Sequence, residues 1–193
     1  MKSIIYVLLG KSNTGKSTIF KELIKLTSED NWIEPLKSYT TRPKRDEDTS
    51  ANEYVFCDRE YYTQLSKEHG VLEHSVYDTA HGYWFYFTRK EDVKPDKRYI
   101  KILNPTGYYQ LKNTAKETGL FDVVGIEIVC DDKIRLERIE SRQDGTSMAE
   151  RQRRIKADEK DFAYLSVDYK IENNGDKSAK EIAEYILEEI IEF

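Results

Sequence analysis

Ile4 to Leu9 is an unbroken apolar run that stops at Gly10 and Lys11. A stretch of strand length with no polar alternation marks a parallel strand covered on both faces. Gly10 to Ser17 follows, and then Ile19, Leu23 and Leu26 recur at helical spacing, with Phe20 and Ile24 widening the stripe. Strand, glycine loop and helix in that order open an α/β fold. From about 36 to 90 the pattern changes to β-prone and aromatic residues (Tyr39, Thr40, Thr41, Tyr54, Val55, Phe56), broken by a polar loop, Asp46 to Asn52. This predicts an inserted, partly antiparallel lobe. Alternation then resumes: Tyr99–Leu103 as a strand, Tyr108–Thr118 as a helix, Phe121–Cys130 as a long strand and Ile134–Arg142 as a helix. Beyond the polar stretch Gln143–Ser147 come a helix from Met148 to Leu165 and a last strand, Val167–Glu172. Ser178–Ile191 closes the chain as an amphipathic helix with Ile182, Tyr185, Ile186 and Ile190 near one face and Glu189 as its polar member.

The chain has 193 residues, enough for one domain with a proper core and a small inserted lobe. Lysine and arginine total 31 and the acids 36, a net charge of −5, which argues against a protein that coats nucleic acid. No nucleic-acid partner is expected. Cys57 and Cys130 are far apart and outside any C-x-x-C pair, so they read as small core residues rather than a disulfide or zinc site, and the reducing cytoplasm is the expected compartment. The N-terminal apolar run is too short to span a bilayer, and no membrane partner is expected. His69, His74 and His81 have no metal-ligand spacing, and the oligomeric state stays open.

Gly10, Lys11, Ser12, Asn13, Thr14, Gly15, Lys16 and Ser17 fit G-x-x-x-x-G-K-[ST] at every fixed position. The glycines allow close approach of backbone to ligand, so successive N–H groups can turn toward phosphate oxygens at a helix start. Together with Thr18 these residues are the candidate ATP site. Lys16 would reach the terminal phosphates and the Ser17 hydroxyl would ligate Mg²⁺. A chance glycine turn is the plain alternative, and the strand before and helix after argue against it.

Lys37, Arg42, Lys44 and Arg45 give the segment 37–45 a local charge of +4 with no acid. A solvated patch would explain the charge alone. Interleaved hydroxyls at Ser38, Thr40 and Thr41 suit a second phosphate group better. Ser38-Tyr39-Thr40-Thr41-Arg42, followed by Arg45, Tyr54 and Glu73, resembles the monophosphate-binding segment of guanylate kinases in residue type and offset. The resemblance implies that Ser38, Arg42, Arg45 and Tyr54 hold the phosphate of a nucleoside monophosphate. It also implies that Glu73 accepts hydrogen bonds from N1–H and the 2-amino group of guanine, with Tyr86 and Thr88 finishing the base pocket. Phe87 stands where the family has glycine, adding bulk next to the presumed base. Asn104 replaces the second of two family aspartates in Ile102-Leu103-Asn104-Pro105-Thr106-Gly107, and the first is also missing.

Between Arg135 and Lys156 seven basic residues face four acids, +3. Arg135, Arg138 and Arg142 share a helix face, and salt bridges to Glu137 and Glu140 would account for some of them. The position is similar to the lid of nucleoside monophosphate kinases, with Arg138, Arg142 and Arg154 as lid arginines and Arg151 or Arg153 as substitutes one turn away. Residues 157–193 hold eleven acids against four lysines, so the modest total charge is a cancellation.

The reading is therefore an α/β fold: a P-loop NTPase-type parallel sheet flanked by helices, with an inserted β-rich monophosphate-binding lobe and a helical lid. One domain, 1–193, is expected, with core 1–35 and 91–193, lobe about 36–90 and lid about 138–155. The expected reaction moves the γ-phosphoryl of ATP onto GMP or dGMP, with Mg²⁺, through Lys16, Arg42, Arg138, Arg142 and Arg154. A kinase for another nucleoside monophosphate, including a modified deoxynucleotide, is one alternative. A non-catalytic binding module of guanylate-kinase type is another, against which the retained Lys16 and Ser17 argue. A regulatory GTPase is disfavoured by the lack of an Asn-Lys-x-Asp motif.

Overall fold

The structure is a computed structural model describing residues 2–29, 32–44, 54–79, 82–141 and 148–191. A five-stranded parallel sheet has the order β2-β7-β1-β8-β9. Its strands are β1 (Ser3–Leu9), β2 (Glu34–Pro35), β7 (Arg98–Ile102), β8 (Phe121–Val129) and β9 (Tyr169–Glu172). β1 is buried along nearly its whole length, as its continuous apolar run requires. The helices are α1 (Lys16–Leu26), α2 (Arg59–Lys67), α3 (Pro105–Thr118), α4 (Asp132–Ser141), α5 (Met148–Phe162) and α6 (Ala179–Ile186).

The chain divides into two compact units, one of Met1–Ile5, Glu34–Lys101 and Thr106–Val123, the other of Tyr6–Ile33, Ile102–Pro105 and Val124–Phe193. In the second unit α1 packs against α6. Ser178 and Glu181 form a reciprocal capping box that starts α6. A π-helical turn, Leu187–Ile191, continues it. The buried stripe is Ile182, Ala183, Ile186, Leu187, Ile190 and Ile191, whereas Tyr185, expected on the apolar face, is 47% exposed. The phenol takes the water-facing flank, and small Ala183 allows close packing instead.

The first unit carries a four-stranded sheet of order β4-β3-β6-β5, built from β3 (Ser38–Thr40), β4 (Tyr54–Phe56), β5 (Val71–Thr79) and β6 (Gly82–Arg89). β3 and β4 pair in parallel, and β6 runs antiparallel to both β3 and β5. The expected β-rich lobe also contains a helix, α2, that the sequence pattern does not predict. Asp58 accepts the Tyr61 N–H at 2.7 Å and so caps that helix. Tyr62 of α2 stacks on Phe85 with ring centroids 4.2 Å apart and lies 5.1 Å from Phe87. Phe87 in turn stacks on Tyr39.

Register fixes what each face carries, because side chains alternate along a strand. The pairs Ser38↔Tyr54, Thr40↔Phe56, Thr40↔Tyr86, Ser75↔Tyr86 and Glu73↔Thr88 put all these residues on one face. Tyr39, His74, Phe85 and Phe87 take the other, against α2. The cysteines are not core residues: both are partly exposed free thiols. Cys57 lies at the rim of the aromatic cluster, its Sγ donating to the Thr40 carbonyl at 3.5 Å, and Cys130 follows the end of β8.

Candidate active site

Residues 10–15 link β1 to α1 as a loop that only its sequence permits. Gly10 has φ +146°, and a Cβ there would collide with the Ile128 carbonyl oxygen. Gly15 has φ +94°, and a Cβ would collide with the Asn173 amide. Asn13 takes a left-handed φ of 64°, which asparagine tolerates. Asn173 Nδ2 donates to the Thr14 carbonyl at 2.8 Å, and Thr14 Oγ1 and Lys16 Nζ both donate to the Lys11 carbonyl, at 3.0 and 2.8 Å. Thr18 and Ile19 donate their N–H groups to the Gly15 carbonyl, starting α1, whose first turn holds no acid. Ser17 and Thr18 are exposed in that turn.

The loop already meets an oxyanion. The Ser12 N–H donates to Asp158 Oδ2 of α5 at 2.7 Å. Arg135 of α4 is 2% exposed, with Nη1 3.6 Å from the same oxygen. Its Nε and Nη2 donate to Asp132 Oδ1, and Nη1 is buried without a hydrogen-bond partner among the described residues. Burial pulls the Lys16 ammonium down to about 8, with Asp158 opposing and Arg135 adding to the shift. An amide, an ammonium and an under-satisfied guanidinium around one carboxylate make a site for a larger anion.

Of the arginines expected in a lid, Arg138 is half-buried at Cys130, its Nη1 3.5 Å from Sγ, and Arg154 is exposed on α5. Arg151 donates to the Ile139 and Glu140 carbonyls, satisfying the last turn of α4, so it serves the fold. Arg142 and the linker 143–147 lie outside the described residues, as does Arg45.

In the first unit Ser38, Tyr54, Glu73, Tyr86 and Thr88 share one sheet face, and Arg42 follows the end of β3. Glu73 is 4% exposed and accepts from Thr88 Oγ1 at 2.5 Å. Tyr86 meets Tyr54 and Tyr77 edge-on, with centroids 5.5 and 5.3 Å apart. The Arg42 guanidinium lies over Phe56 at 5.3 Å, with Nη1 donating to the Pro43 carbonyl. Its backbone N–H donates to Thr40 Oγ1. Lys101 of β7 is 2% exposed, and its Nζ donates to Ser38 Oγ at 2.6 Å and the Lys37 carbonyl at 3.2 Å. Burial drives the Glu73 carboxyl above the ordinary range, with Lys101, Thr88 and His74 opposing. Phe87, expected to crowd the base, is 1% exposed on the opposite face from Glu73 and Thr88, within the aromatic core.

Sequence reasoning missed Lys101, Arg135, Asp158 and Asn173 as site residues. Lys101 had a signal, a charge set in the apolar strand Tyr99-Ile100-Lys101-Ile102. Asp132 three residues before Arg135 was another, since that spacing lets an exposed carboxylate hold the buried guanidinium.

A parallel sheet whose first strand runs through this loop into a helix defines a P-loop nucleotide-binding protein. The guanylate kinase family model matches residues 2–189. The guanylate kinase of Coxiella burnetii is 26% identical over 178 residues, 90% of this chain and 81% of that protein. That of Clostridium tetani is 31% identical over 125 residues, 62% of this chain and 55% of that protein. The crystal structure of guanylate kinase from Anaplasma phagocytophilum superposes with a TM-score of 0.64 at 22% identity, covering 96% of this chain and 82% of that one. The chain belongs to the guanylate kinase family, whose members are nucleoside monophosphate kinases.

Proposed function

We propose that this protein transfers the γ-phosphoryl group of ATP to GMP or dGMP, giving GDP or dGDP. The observation that carries the reading is the buried Glu73 carboxylate, hydrogen-bonded by Thr88 on the same sheet face as Ser38, Tyr54 and Tyr86. Guanine offers N1–H and a 2-amino group to such a carboxylate. Adenine lacks both donors in that arrangement and would leave a buried charge unpaired, which is how a polar site rejects an analogue.

The other unit takes the donor nucleotide. Gly10 to Thr18 wrap the triphosphate, Lys16 neutralises its terminal groups, and Arg135 finds there the oxygen that its Nη1 lacks. Mg²⁺ enters as part of the MgATP substrate. The Ser17 hydroxyl fits it as a hard oxygen donor beside the phosphates. Arg42, Arg45, Ser38 and Tyr54 grip the acceptor phosphate. Arg138, Arg142 and Arg154 place positive charge beside the transferring group and help exclude water, and phosphoryl transfer asks for little else from a protein. The acceptor hydroxyl-equivalent is a phosphate oxygen, already ionised near neutrality, so no protein base is required to create the nucleophile. We place the enzyme in the cytoplasm; no helix among the described residues is long and apolar enough to cross a membrane.

A different base is suggested by Phe87 and by the missing aspartates near Asn104; Phe87 lies in the aromatic core on the face away from Glu73 and so does not bear on the base. ADP release is measured with ATP and a panel of ribo- and deoxynucleoside monophosphates, beside Lys16→Ala. GMP and dGMP should turn over about 10⁴-fold faster than AMP, the scale on which a site built to hydrogen-bond its substrate rejects an analogue that lacks the donors. Failure of folded wild-type protein to phosphorylate any monophosphate overturns the reading.

A further inference from the structure

Lys101 has no place in the motif that marked the acceptor site, yet among the described residues it is the most deeply buried cation of that unit. We infer that Lys101 is a positioning residue of the acceptor-base site: it fixes the Ser38 hydroxyl and supplies the positive charge that Glu73 needs to read a donor-rich base edge. The inference rests on the reading of Glu73 given above.

The geometry carries it. Lys101 sits mid-strand in β7 between Ile100 and Ile102, where an apolar residue would cost nothing and an ammonium is expensive unless partnered. At 2% exposure its Nζ holds Ser38 Oγ at 2.6 Å and the Lys37 carbonyl at 3.2 Å. A hydroxyl oxygen that accepts from an ammonium has its own proton free to aim elsewhere. Ser38 and Glu73 share one sheet face, so both ends of the Lys101 effect fall on the same surface.

Charged and hydrogen-bonding groups bear on the pair from several elements. Lys101 from β7, Thr88 from β6 and His74 beside it on β5 act on Glu73; Glu73 and Asp92 act on Lys101. Removing the ammonium leaves Glu73 buried with one hydroxyl donor and a neighbouring imidazole. It then takes up a proton at higher pH, and a protonated carboxyl offers a donor where guanine needs two acceptors.

The test is GMP binding by calorimetry and steady-state kinetics on wild type, Lys101→Met, Lys101→Gln, Glu73→Gln and the Lys101→Met/Glu73→Gln double variant, each checked by thermal melting. Lys101→Met should weaken GMP by about 30-fold near pH 7, the scale of losing a buried charged partner, with the KM for ATP within about two-fold of wild type. The loss should deepen as pH falls. Lys101→Gln keeps a neutral donor for Ser38 without the charge and should show the same acid sensitivity. In the Glu73→Gln background, which cannot titrate, Lys101→Met should cost about three-fold or less, because two residues acting as one unit are not additive. Additive losses, a pH-independent loss, or equal rises in both KM values overturn the inference and leave the function intact. If wild type itself does not bind GMP, the base-site reading fails and the inference with it.

Discussion

Each unit of this protein holds one lysine, Lys16 half-buried and Lys101 buried, that loss of water around its ammonium draws down to about 8. The two are held in opposite ways. Lys16 stands at the start of a helix after a loop made of its own neighbours: it donates to the Lys11 carbonyl, Thr14 donates to the same carbonyl, and Gly10 and Gly15 before it let the backbone fold. Lys101 stands in mid-strand, and its partners come from distant segments, Ser38 and Lys37 by hydrogen bond and Glu73 by charge. A site built mainly of backbone N–H groups must be contiguous in sequence. A site built from side chains on one sheet face is spread over the chain by the strand order. On the function proposed above, the first would recognise a phosphate that is alike in every nucleotide and the second would tell bases apart.

Removing Lys16 tests the backbone-built site most severely. Lys16→Met should lower kcat by about 10³-fold, the scale of losing a preorganised charge beside a developing transition state. GMP affinity by calorimetry should change less than about two-fold. A comparable loss of GMP binding would mean that the two sites are not separable as described.

The converse change is Glu73→Gln. It should cut kcat/KM for GMP by about 10²-fold, as expected when a buried acceptor is exchanged for a group that is half donor, and leave the KM for ATP unchanged. Equal effects on the two substrates would remove Glu73 as the base reader.

pH separates the two sites by sign. The free Lys16 ammonium loses its proton as pH rises through about 8, so kcat/KM for ATP should fall by up to about tenfold per unit above that point. Bound phosphates favour the charged form, and kcat should hold to higher pH. Glu73 responds at the other end. Its carboxyl is raised by burial, so kcat/KM for GMP should decline as pH falls through that raised value while the ATP profile stays level. Profiles measured with each substrate varied in turn decide the assignment.

The same contrast explains which parts were legible beforehand. Gly10 to Ser17 could be read directly, because φ +146° at Gly10 and φ +94° at Gly15 leave few residue choices and the neighbours follow in order. The alternating strands and helices of the nucleotide-binding fold were legible from period alone. The helix α2 was hidden by its tyrosines, which read as β-prone although Asp58 was a fair capping signal. Phe87 was misplaced because a residue's neighbours in sequence do not tell which face it takes; only the pairing His74↔Phe87 beside Glu73↔Thr88 does. Arg135 looked like one member of a surface arginine stripe. Its burial arises from Asp158 on the next helix, 23 positions away, and no local pattern announces that partner.

Asp158 offers the mildest way to probe the loop. Its carboxylate accepts from the Ser12 N–H at 2.7 Å and lies 3.6 Å from Arg135 Nη1, both groups that a nucleotide phosphate would claim. It also opposes the downward pull on Lys16. Two consequences run in opposite directions when Asp158→Asn removes the charge. A phosphate no longer competes with a carboxylate for Ser12 and Arg135, so ADP should bind about three-fold tighter near pH 7, in line with one partly solvated ion pair. At the same time Lys16 loses its supporting anion and should give up its proton at lower pH. The alkaline fall in kcat/KM for ATP therefore moves toward neutrality, and the gain in affinity should vanish by about pH 8.5. Calorimetric titration of ADP across that range checks both. Weaker ADP binding at every pH would instead show that Asp158 holds Arg135 in place for the phosphate rather than standing in its way.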